Sequence, residues 1–160
     1  MNEPLSLIDT DVLSYILKRR EPFYQRSREY LTHYTRLTIS CLTYYECLRG
    51  YKAVGATTRL QVFQELLRIT DVLYLDQDVL EKSAEIYGVL KPKGELPGEF
   101  DVMIGATALL HGMSVVTNNI THYQAIQRYF PLKIEDWRTS NDQKAPLHHE
   151  RKKEESENTQ

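Results

Sequence analysis

Short apolar runs alternate with helix-forming segments along most of the chain, and this alternation restricts the fold more than any other feature of the sequence. Four runs have the length and composition of buried strands, at residues 5–9, 37–40, 72–75 and 114–117, and residues 132–134 are a candidate for a fifth, so a sheet of four to five strands is expected. The segments between them repeat apolar side chains at helical spacing, at about residues 10–17, 22–34, 41–50, 57–68, 78–90, 101–111 and 123–129. Strands that alternate with helices predict an α/β fold, in which a parallel sheet carries helices on both faces.

Single residues predict where some of these helices begin and end. Gly50 and Gly112 are placed to end the third and the sixth helices, since glycine readily adopts the left-handed conformation of a C-terminal cap. Asp78, followed three residues later by Glu81, resembles a capping box. The fifth helix is therefore expected to begin at Asp78.

Length and composition indicate one globular domain. With 160 residues, 41% of them hydrophobic, the chain can bury a single sizeable core. The domain is predicted to be residues 1–138, because residues 139–160 are polar without apolar periodicity and are predicted to be disordered. No apolar run approaches the roughly 20 residues that span a bilayer and no signal peptide is visible, so a cytoplasmic protein without a membrane segment is expected.

The segment from Gly98 to Ala108 places one acid, Asp101, at the start of a small, apolar helical run. Gly105 lies four residues later on the same helix face and keeps that surface thin, so that other backbone can approach. An unpaired buried carboxylate is costly, so a cation, a metal ion or water in a cleft is expected opposite Asp101. Alternatively, Glu99 and Asp101 only complement the helix dipole.

Four polar residues are expected to meet at the carboxyl edge of the sheet. Asp9 ends the first strand, and Asn119 follows the fourth. Glu46 lies in the helix after the second strand, and Asp101 opens the helix before the fourth. Sites in such sheets form beyond the strand ends, where the strand order reverses. A shared catalytic site of Asp9, Glu46, Asp101 and Asn119 is therefore predicted.

Each of these residues also has a purely structural explanation. Asp9 or Asp11 could cap the first helix. Thr43 and Glu46 match a capping box, and Asn119 with its neighbour could form only a turn. Independent caps have no reason to gather at strand ends, however, whereas a shared site explains the whole set.

Converging carboxylates repel one another unless a cation is bound, so Asp9, Glu46 and Asp101 are predicted to bind Mg²⁺. Mg²⁺ prefers oxygen and is usually held by one or two carboxylates together with waters and substrate phosphate. The matching chemistry is hydrolysis of a phosphodiester. The formal net charge of −2 does not indicate a nucleic-acid binder. If some of the acids bind a metal ion, however, basic side chains remain available to contact phosphates. The candidates for that rim are Arg19, Arg20, Arg49, Lys52, Lys91 and Lys93.

Four segments, in this order and at this spacing, resemble the PIN-domain ribonucleases, and most of all the VapC toxins of bacterial toxin–antitoxin pairs. The segments are residues 7–13, 43–50, 100–106 and 116–123, and the resemblance runs from about Leu5 to Trp137. It implies a three-layer PIN-like fold with strand order 3-2-1-4-5 and Mg²⁺- or Mn²⁺-dependent endoribonuclease activity. It also implies a homodimer and an antitoxin that inserts a segment into the acidic groove.

The resemblance carries over to this chain by motif position. Asp9, Glu46 and Asp101 match the acids of the family. Asn119 falls on a fourth position that many members fill with Asp, and this departure leaves the number of metal ions open. Asp11 falls where the family varies among Asn, Ser and Asp, so it could add a ligand.

Two other functions stay open at this point. The chain could be a catalytically weak RNA-binding or regulatory module that keeps the fold, although all three acids are present. It could also be a nuclease of the same fold that acts on DNA or on a particular nucleic-acid structure, since groove shape and loops decide the target.

Overall fold

Five parallel strands form one sheet in the computed structural model, which describes residues 4–139. The strands are β1 (Ser6–Ile8), β2 (Leu37–Ser40), β3 (Thr70–Leu73), β4 (Ser114–Val116) and β5 (Lys133–Glu135). Their order is β3-β2-β1-β4-β5, and every neighbouring pair is parallel. The predicted α/β fold and strand order are confirmed. The predicted tail lies outside the described residues apart from Thr139, so the domain limits stay a prediction.

Helices connect the strands and cover both faces of the sheet. They are α1 (Thr10–Leu17), α2 (Phe23–Tyr34), α3 (Cys41–Ala53), α4 (Thr57–Leu67), α5 (Gln77–Leu90), α6 (Glu99–His111) and α7 (Ile120–Gln127). Within residues 4–139, none of them combines the length and the apolar character that crossing a bilayer requires. Gly112 ends α6 in the left-handed conformation (φ +63°), as its position predicts.

Two cores lie on opposite faces of the sheet, because successive side chains of a strand point to opposite sides. Leu7 and Val115 enter the core that α5, α6 and α7 cover. Ile8 and Val116 enter the core on the other face, with side chains of α1 and Phe63 of α4. The paired strands β1 and β4 are buried on both faces, which explains why the sequence shows them as continuous apolar runs.

Two predicted helix boundaries are wrong. α3 continues past Gly50 to Ala53, because Tyr51 still packs against Phe63, with ring centroids 5.9 Å apart. α5 begins at Gln77 rather than at Asp78. Its cap is Asp76, whose Oδ1 accepts the backbone N–H of Val79 at 2.9 Å.

The third strand lies earlier in the chain than the apolar run indicates. The prediction was residues 72–75, whereas β3 is Thr70–Leu73, paired residue by residue with Leu37–Ser40. Pairing with a buried neighbour decides the register here, and Tyr74, beyond the end of the strand, is 69% exposed.

The carboxyl ends of β1 and β4 lie side by side at the centre of the sheet. The two strands pair in register through Ile8 and Val116, and the backbone N–H of Asp9 donates to the carbonyl of Val116 at 2.9 Å. The strands β2 and β3 lie on one side of β1, whereas β4 and β5 lie on its other side. This is the reversal of strand order at which ligand sites form in open parallel sheets.

Candidate active site

Asp9 stands at the centre of the site and is 3% exposed. It caps α1, since its Oδ1 accepts the backbone N–H of Thr10 at 2.9 Å. Its Oδ2 accepts the hydroxyl of Thr117 at 2.8 Å. The pKa of Asp9 is raised from 3.8 to about 6. Burial is the main cause, the nearby charges of Asp11 and Asp101 act in the same direction, and these hydrogen bonds oppose the shift. The capping explanation of Asp9 is therefore correct without excluding a place in a carboxylate cluster.

Asp11 lies beside Asp9, in the first turn of α1. Its Oδ1 accepts the N–H of Val12 at 2.7 Å, and its Oδ2 accepts the N–H of Asn118 at 3.0 Å. Burial raises the pKa of Asp11, and the charge of Asp101 acts in the same direction. The contact with Asn118 binds the start of α1 to the chain that leaves β4.

Glu46 reaches the same place from α3 through Thr10. The hydroxyl of Thr10 donates to Glu46 Oε1 at 2.8 Å and lies 3.1 Å from the hydroxyl of the fully buried Thr43. Since one hydroxyl has one proton, Thr43 donates to Thr10 in this arrangement. The second oxygen of Glu46 lies 3.5 Å from the guanidinium of Arg49.

The capping-box explanation of Thr43 and Glu46 is wrong. α3 begins at Cys41, and its cap is Ser40, whose hydroxyl accepts the N–H of Leu42 at 3.2 Å. Thr43 and Glu46 therefore lie inside the helix, where their side chains turn toward Thr10 instead of toward orphan backbone groups.

Asp101 enters the cluster from the first turn of α6. Its Oδ2 lies 2.7 Å from Nδ1 of His122, where the ring N–H donates to the carboxylate. His122 thus lies opposite Asp101, where a cation, a metal ion or water is expected from the sequence. The Tyr123 hydroxyl donates to Asp101 Oδ1 at the long distance of 3.5 Å. Asp101 also keeps its helix-dipole position, so both explanations of this residue apply.

Gly105 makes this arrangement sterically possible. A Cβ at position 105 would lie 2.8 Å from Cδ1 of Ile126 and 3.9 Å from the ring of Tyr123. The thin helix surface therefore admits side chains of α7, not backbone as predicted. Tyr123 is fully buried, and burial raises the pKa of its hydroxyl well above 10, with the charges of Asp9 and Asp101 adding to the effect.

Asn119 is the predicted site residue that the fold holds least closely. It is exposed and precedes α7, but its side chain makes no cap hydrogen bond. Its backbone N–H donates to the hydroxyl of Thr117 at 2.9 Å. Asn119 is therefore joined to Asp9 through Thr117, while its side-chain amide caps no backbone group within residues 4–139.

Sequence reasoning missed Thr10 and Thr117. Both stand directly after a buried strand or its terminal acid, and this position was the available signal. A hydroxyl at a strand end can donate to a carboxylate without adding charge. Of the six basic residues predicted as a rim, only Arg49 contacts a site carboxylate within residues 4–139.

The oxygen atoms of the site decide whether a divalent cation fits there. Within residues 4–139, no three Asp, Glu, His or Cys side chains are grouped closely enough to hold a metal ion by themselves. Mg²⁺ requires fewer, because it keeps several waters and binds one or two carboxylates. Mutual repulsion among Asp9, Asp11 and Asp101 favours positive charge here, and Asp101 Oδ1 has only a long hydrogen bond. The oxygens therefore fit a hydrated, hard divalent ion.

A further acceptor is available at this edge. Oδ1 of Asn118 is buried, and it has no hydrogen-bond partner in the described part of the chain. Such an oxygen is normally satisfied by ordered water. It stands on the residue whose backbone N–H binds Asp11, so water is expected close to the carboxylates.

Comparison with known proteins places this site in a family. Ribonuclease VapC1 of Methanocaldococcus jannaschii is 30% identical over 81% of this chain and 86% of its own. The tRNA(fMet)-specific endonuclease VapC of Salmonella typhimurium is 30% identical over 82% of this chain and 96% of its own. The crystal structure of DNA-bound VapBC from Salmonella typhimurium matches with a TM-score of 0.71 and 28% identity, over 84% of this chain and 99% of that chain.

The family model of the PIN domain matches residues 6–126, which include β1, α3, α6 and the strand end at Thr117. These are the elements that bring Asp9, Glu46 and Asp101 together. The chain belongs to the PIN domain family.

Proposed function

We propose that this chain is a metal-dependent endoribonuclease and the toxin of a type II toxin–antitoxin pair. One observation carries the proposal: Thr10 binds Asp9 through its backbone N–H and Glu46 through its hydroxyl, at the point where the strand order reverses. Asp101 adds a third carboxylate whose charge acts on Asp9. The names of the relatives, ribonuclease VapC1 and tRNA(fMet)-specific endonuclease VapC, support the same activity.

Asp9 and Asp101 are the residues that would hold a Mg²⁺ or Mn²⁺ ion, with Glu46 at its side. When bound, the ion would acidify water and stabilise negative charge on the phosphate. Asp9 is fixed by Thr10 and Thr117 and can hold its position while charge changes around it. Glu46 is oriented by Thr10 on one oxygen and is only loosely paired on the other, which leaves Oε2 free to orient water or accept a proton.

Asn119 is proposed to contact substrate rather than to hold the ion. A carboxamide can donate to a phosphate oxygen and accept from water, but it cannot neutralise a cation. Its exposed position agrees with this role. One tightly held ion is therefore expected, with at most one weaker ion that requires substrate phosphate.

A cleavage assay tests the proposal. The purified protein is incubated with labelled single-stranded RNA and DNA in Mg²⁺, Mn²⁺ or EDTA, beside the Asp101→Asn variant. RNA cleavage that requires the divalent ion and Asp101 is expected. RNA binding without turnover would support the regulatory module instead, and preferential cleavage of DNA would support the DNA-directed nuclease.

The same proposal includes a protein partner in the cytoplasm, where RNA is available. An acidic groove accepts an arginine, because its guanidinium offers several donors to carboxylates. A cognate antitoxin is expected to block the groove in this way, and the chain itself is expected to form a homodimer. Co-expression with the gene immediately upstream should give a complex that does not cleave RNA, whereas a neighbour that neither binds nor restores growth would indicate a housekeeping nuclease.

A further inference from the structure

The exposed side chains of Tyr45 and Arg49 and the half-buried ring of Phe100 form a surface directly beside the carboxylates. We propose that this surface, the Tyr45 platform (Tyr45, Arg49 and Phe100), stacks an unpaired RNA base of the nucleotide next to the cleaved phosphate. The inference rests on the proposed ribonuclease function and adds a subsite that selects single-stranded substrate.

The platform is an organised cluster. The rings of Tyr45 and Phe100 meet edge to face, with centroids 6.3 Å apart and planes inclined by 68°. The guanidinium carbon of Arg49 lies 5.1 Å from the centroid of Tyr45 and 5.7 Å from that of Phe100. Both contacts fall within the range of cation–π attraction. Arg49 therefore joins an aromatic residue of α3 to one of α6.

Exposure distinguishes Tyr45 from its neighbour in the chain. Tyr44 packs on Phe63 in the core, with ring centroids 5.8 Å apart. Tyr45 is 50% exposed, and the Arg49 side chain is 52% exposed. Tyr45 therefore leaves about half of its surface open to a ligand, whereas Tyr44 packs against the core.

The position of the platform is set by the chain itself. Tyr45 directly precedes Glu46, and Phe100 directly precedes Asp101. The guanidinium of Arg49 lies over both rings and also 3.5 Å from Glu46 Oε2, so the platform adjoins the carboxylates. A phosphate at the carboxylates would bring the base of an adjoining nucleotide within reach of the Tyr45 ring.

The charge of the cluster selects its occupant. Stacking on aromatic rings and arginine is the usual way in which proteins hold unpaired bases. Arg49 offers a positive charge at the edge of an acidic site and so favours a polyanion. An arginine from a partner protein would be repelled at this point, and RNA is therefore the better match.

The test places 2-aminopurine, a fluorescent base, at successive positions of a short single-stranded RNA. RNA binding is measured with the full chain carrying Asp9→Asn, which keeps the substrate intact. The fluorescence of one position should be quenched on binding. Adding Tyr45→Ala should remove that quenching and weaken binding on the order of tenfold, whereas Tyr45→Trp should keep both.

Tyr87→Ala is the matched control. Tyr87 is 41% exposed on α5, and it also has a cation four residues later, with Lys91 Nζ 6.0 Å from its ring. Its loss should leave the quenching unchanged. Replacing the quenched base by an abasic ribose should weaken binding to the parent but not to the Tyr45→Ala protein, because the same contact is removed twice.

Each other outcome counts against the inference. Unchanged quenching in Tyr45→Ala would overturn the platform alone, provided that the wild-type protein still cleaves RNA with dependence on Asp101. Loss of binding to a co-expressed antitoxin, with RNA binding intact, would assign the surface to a protein and also overturn it. A wild-type protein that neither binds nor cleaves RNA would overturn the proposed function and this subsite together.

Discussion

Asp9 and Asp11 are held by neutral groups, whereas Glu46 and Asp101 each also contact a side chain that can carry charge. The first two, the strand-end pair, accept hydrogen bonds from backbone N–H groups and from the Thr117 hydroxyl. The other two, the helix pair, contact Arg49 and His122, both about half exposed. The two pairs therefore differ in the kind of group that stabilises their carboxylates.

These different partners explain how the site can be stable and still bind a cation. Neutral donors fix the strand-end pair without cancelling its charge, so burial and repulsion raise the pKa of Asp9 to about 6. The partners of the helix pair lie near the surface and can move aside. A bound cation would therefore meet two carboxylates that are already held in place, and it could displace the charged partners of the other two. Thr10 touches a member of each pair.

The largest expected effect is the loss of catalysis when a member of the helix pair loses its charge. Asp101→Asn should reduce divalent-dependent RNA cleavage on the order of 10³-fold, since metal charge supplies several kcal/mol of transition-state stabilisation. The fold should remain intact, because repulsion of Asp9 is relieved. Calorimetric titration should show lost binding of Mg²⁺ or Mn²⁺. Unchanged affinity would remove Asp101 from the metal site. Asp71→Asn, at the exposed Arg36 pair, is the control.

The second largest effect concerns the strand-end pair, and it is a change in the free energy of unfolding. The folded-state pKa of Asp9 is raised from 3.8 to about 6, so the folded protein binds more protons between these values. Ionisation of Asp9 therefore lowers the free energy of unfolding as the pH rises through that window, and the penalty is complete above it. Asp9→Asn should gain up to roughly 3 kcal/mol at about pH 8 and nothing below about pH 4.

Chemical unfolding of the wild type and of Asp9→Asn across this pH range measures the gain. Asparagine keeps the cap of α1, so loss of the cap does not complicate the comparison. Parallel pH curves for the two proteins would show that Asp9 is not held as an energetically strained carboxylate.

Thr10 links the two pairs, and replacing it removes one of its two contacts. Thr10→Val keeps the backbone N–H that Asp9 accepts but removes the hydroxyl that orients Glu46. Cleavage should fall roughly tenfold in kcat with little change in KM, since hydrogen bonds to charged groups are worth about 1.5–3 kcal/mol. Thr10→Ser restores the donor and should restore the rate. Equal rates for the valine and serine variants would show that the hydroxyl has no positioning role.

A smaller effect is expected at Asn119, which lies outside both pairs. Asn119→Ala should lower turnover by less than about tenfold, or 1.4 kcal/mol, because the side chain is exposed and makes no cap hydrogen bond. Asn119→Asp should keep activity and tighten a second ion. RNA cleavage at saturating Mg²⁺ measures both changes. A silent alanine variant would leave Asn119 as a turn residue and move attention to Asn118 or Asp11.

The smallest effect is expected at His122. His122→Gln removes a partly exposed contact with Asp101, which is an ion pair only when the histidine is protonated, and such contacts contribute about 1 kcal/mol or less. Stability should change little, and the difference should shrink in high salt. Apparent Mg²⁺ affinity should rise slightly because Asp101 loses a competing donor. A strong loss of affinity would instead show that His122 helps to place the carboxylate.

Local features of the sequence predicted those parts of the fold that depend on nearby residues. The buried runs of β1 and β4 and the left-handed Gly112 are local signals, and all of them appear in the structure. Gly50 and Asp78 are local signals too, but packing of Tyr51 on Phe63 extends α3, and Asp76 caps α5 first. A local preference of about 1 kcal/mol is readily overridden by such contacts.

The apolar runs of the sequence show which side chains follow strands, and therefore that Asp9 and Asn119 reach one edge of a parallel sheet. Tertiary structure decided what those side chains touch. Thr10 meets Glu46 across 36 residues, and Thr117 meets Asp9 across 108. No spacing along one helix or strand contains such pairings, because they depend on how helices and strands distant in sequence pack together. The same packing brings Ile126 and Tyr123 of α7 against Gly105 of α6 and leaves Asn119 at the surface.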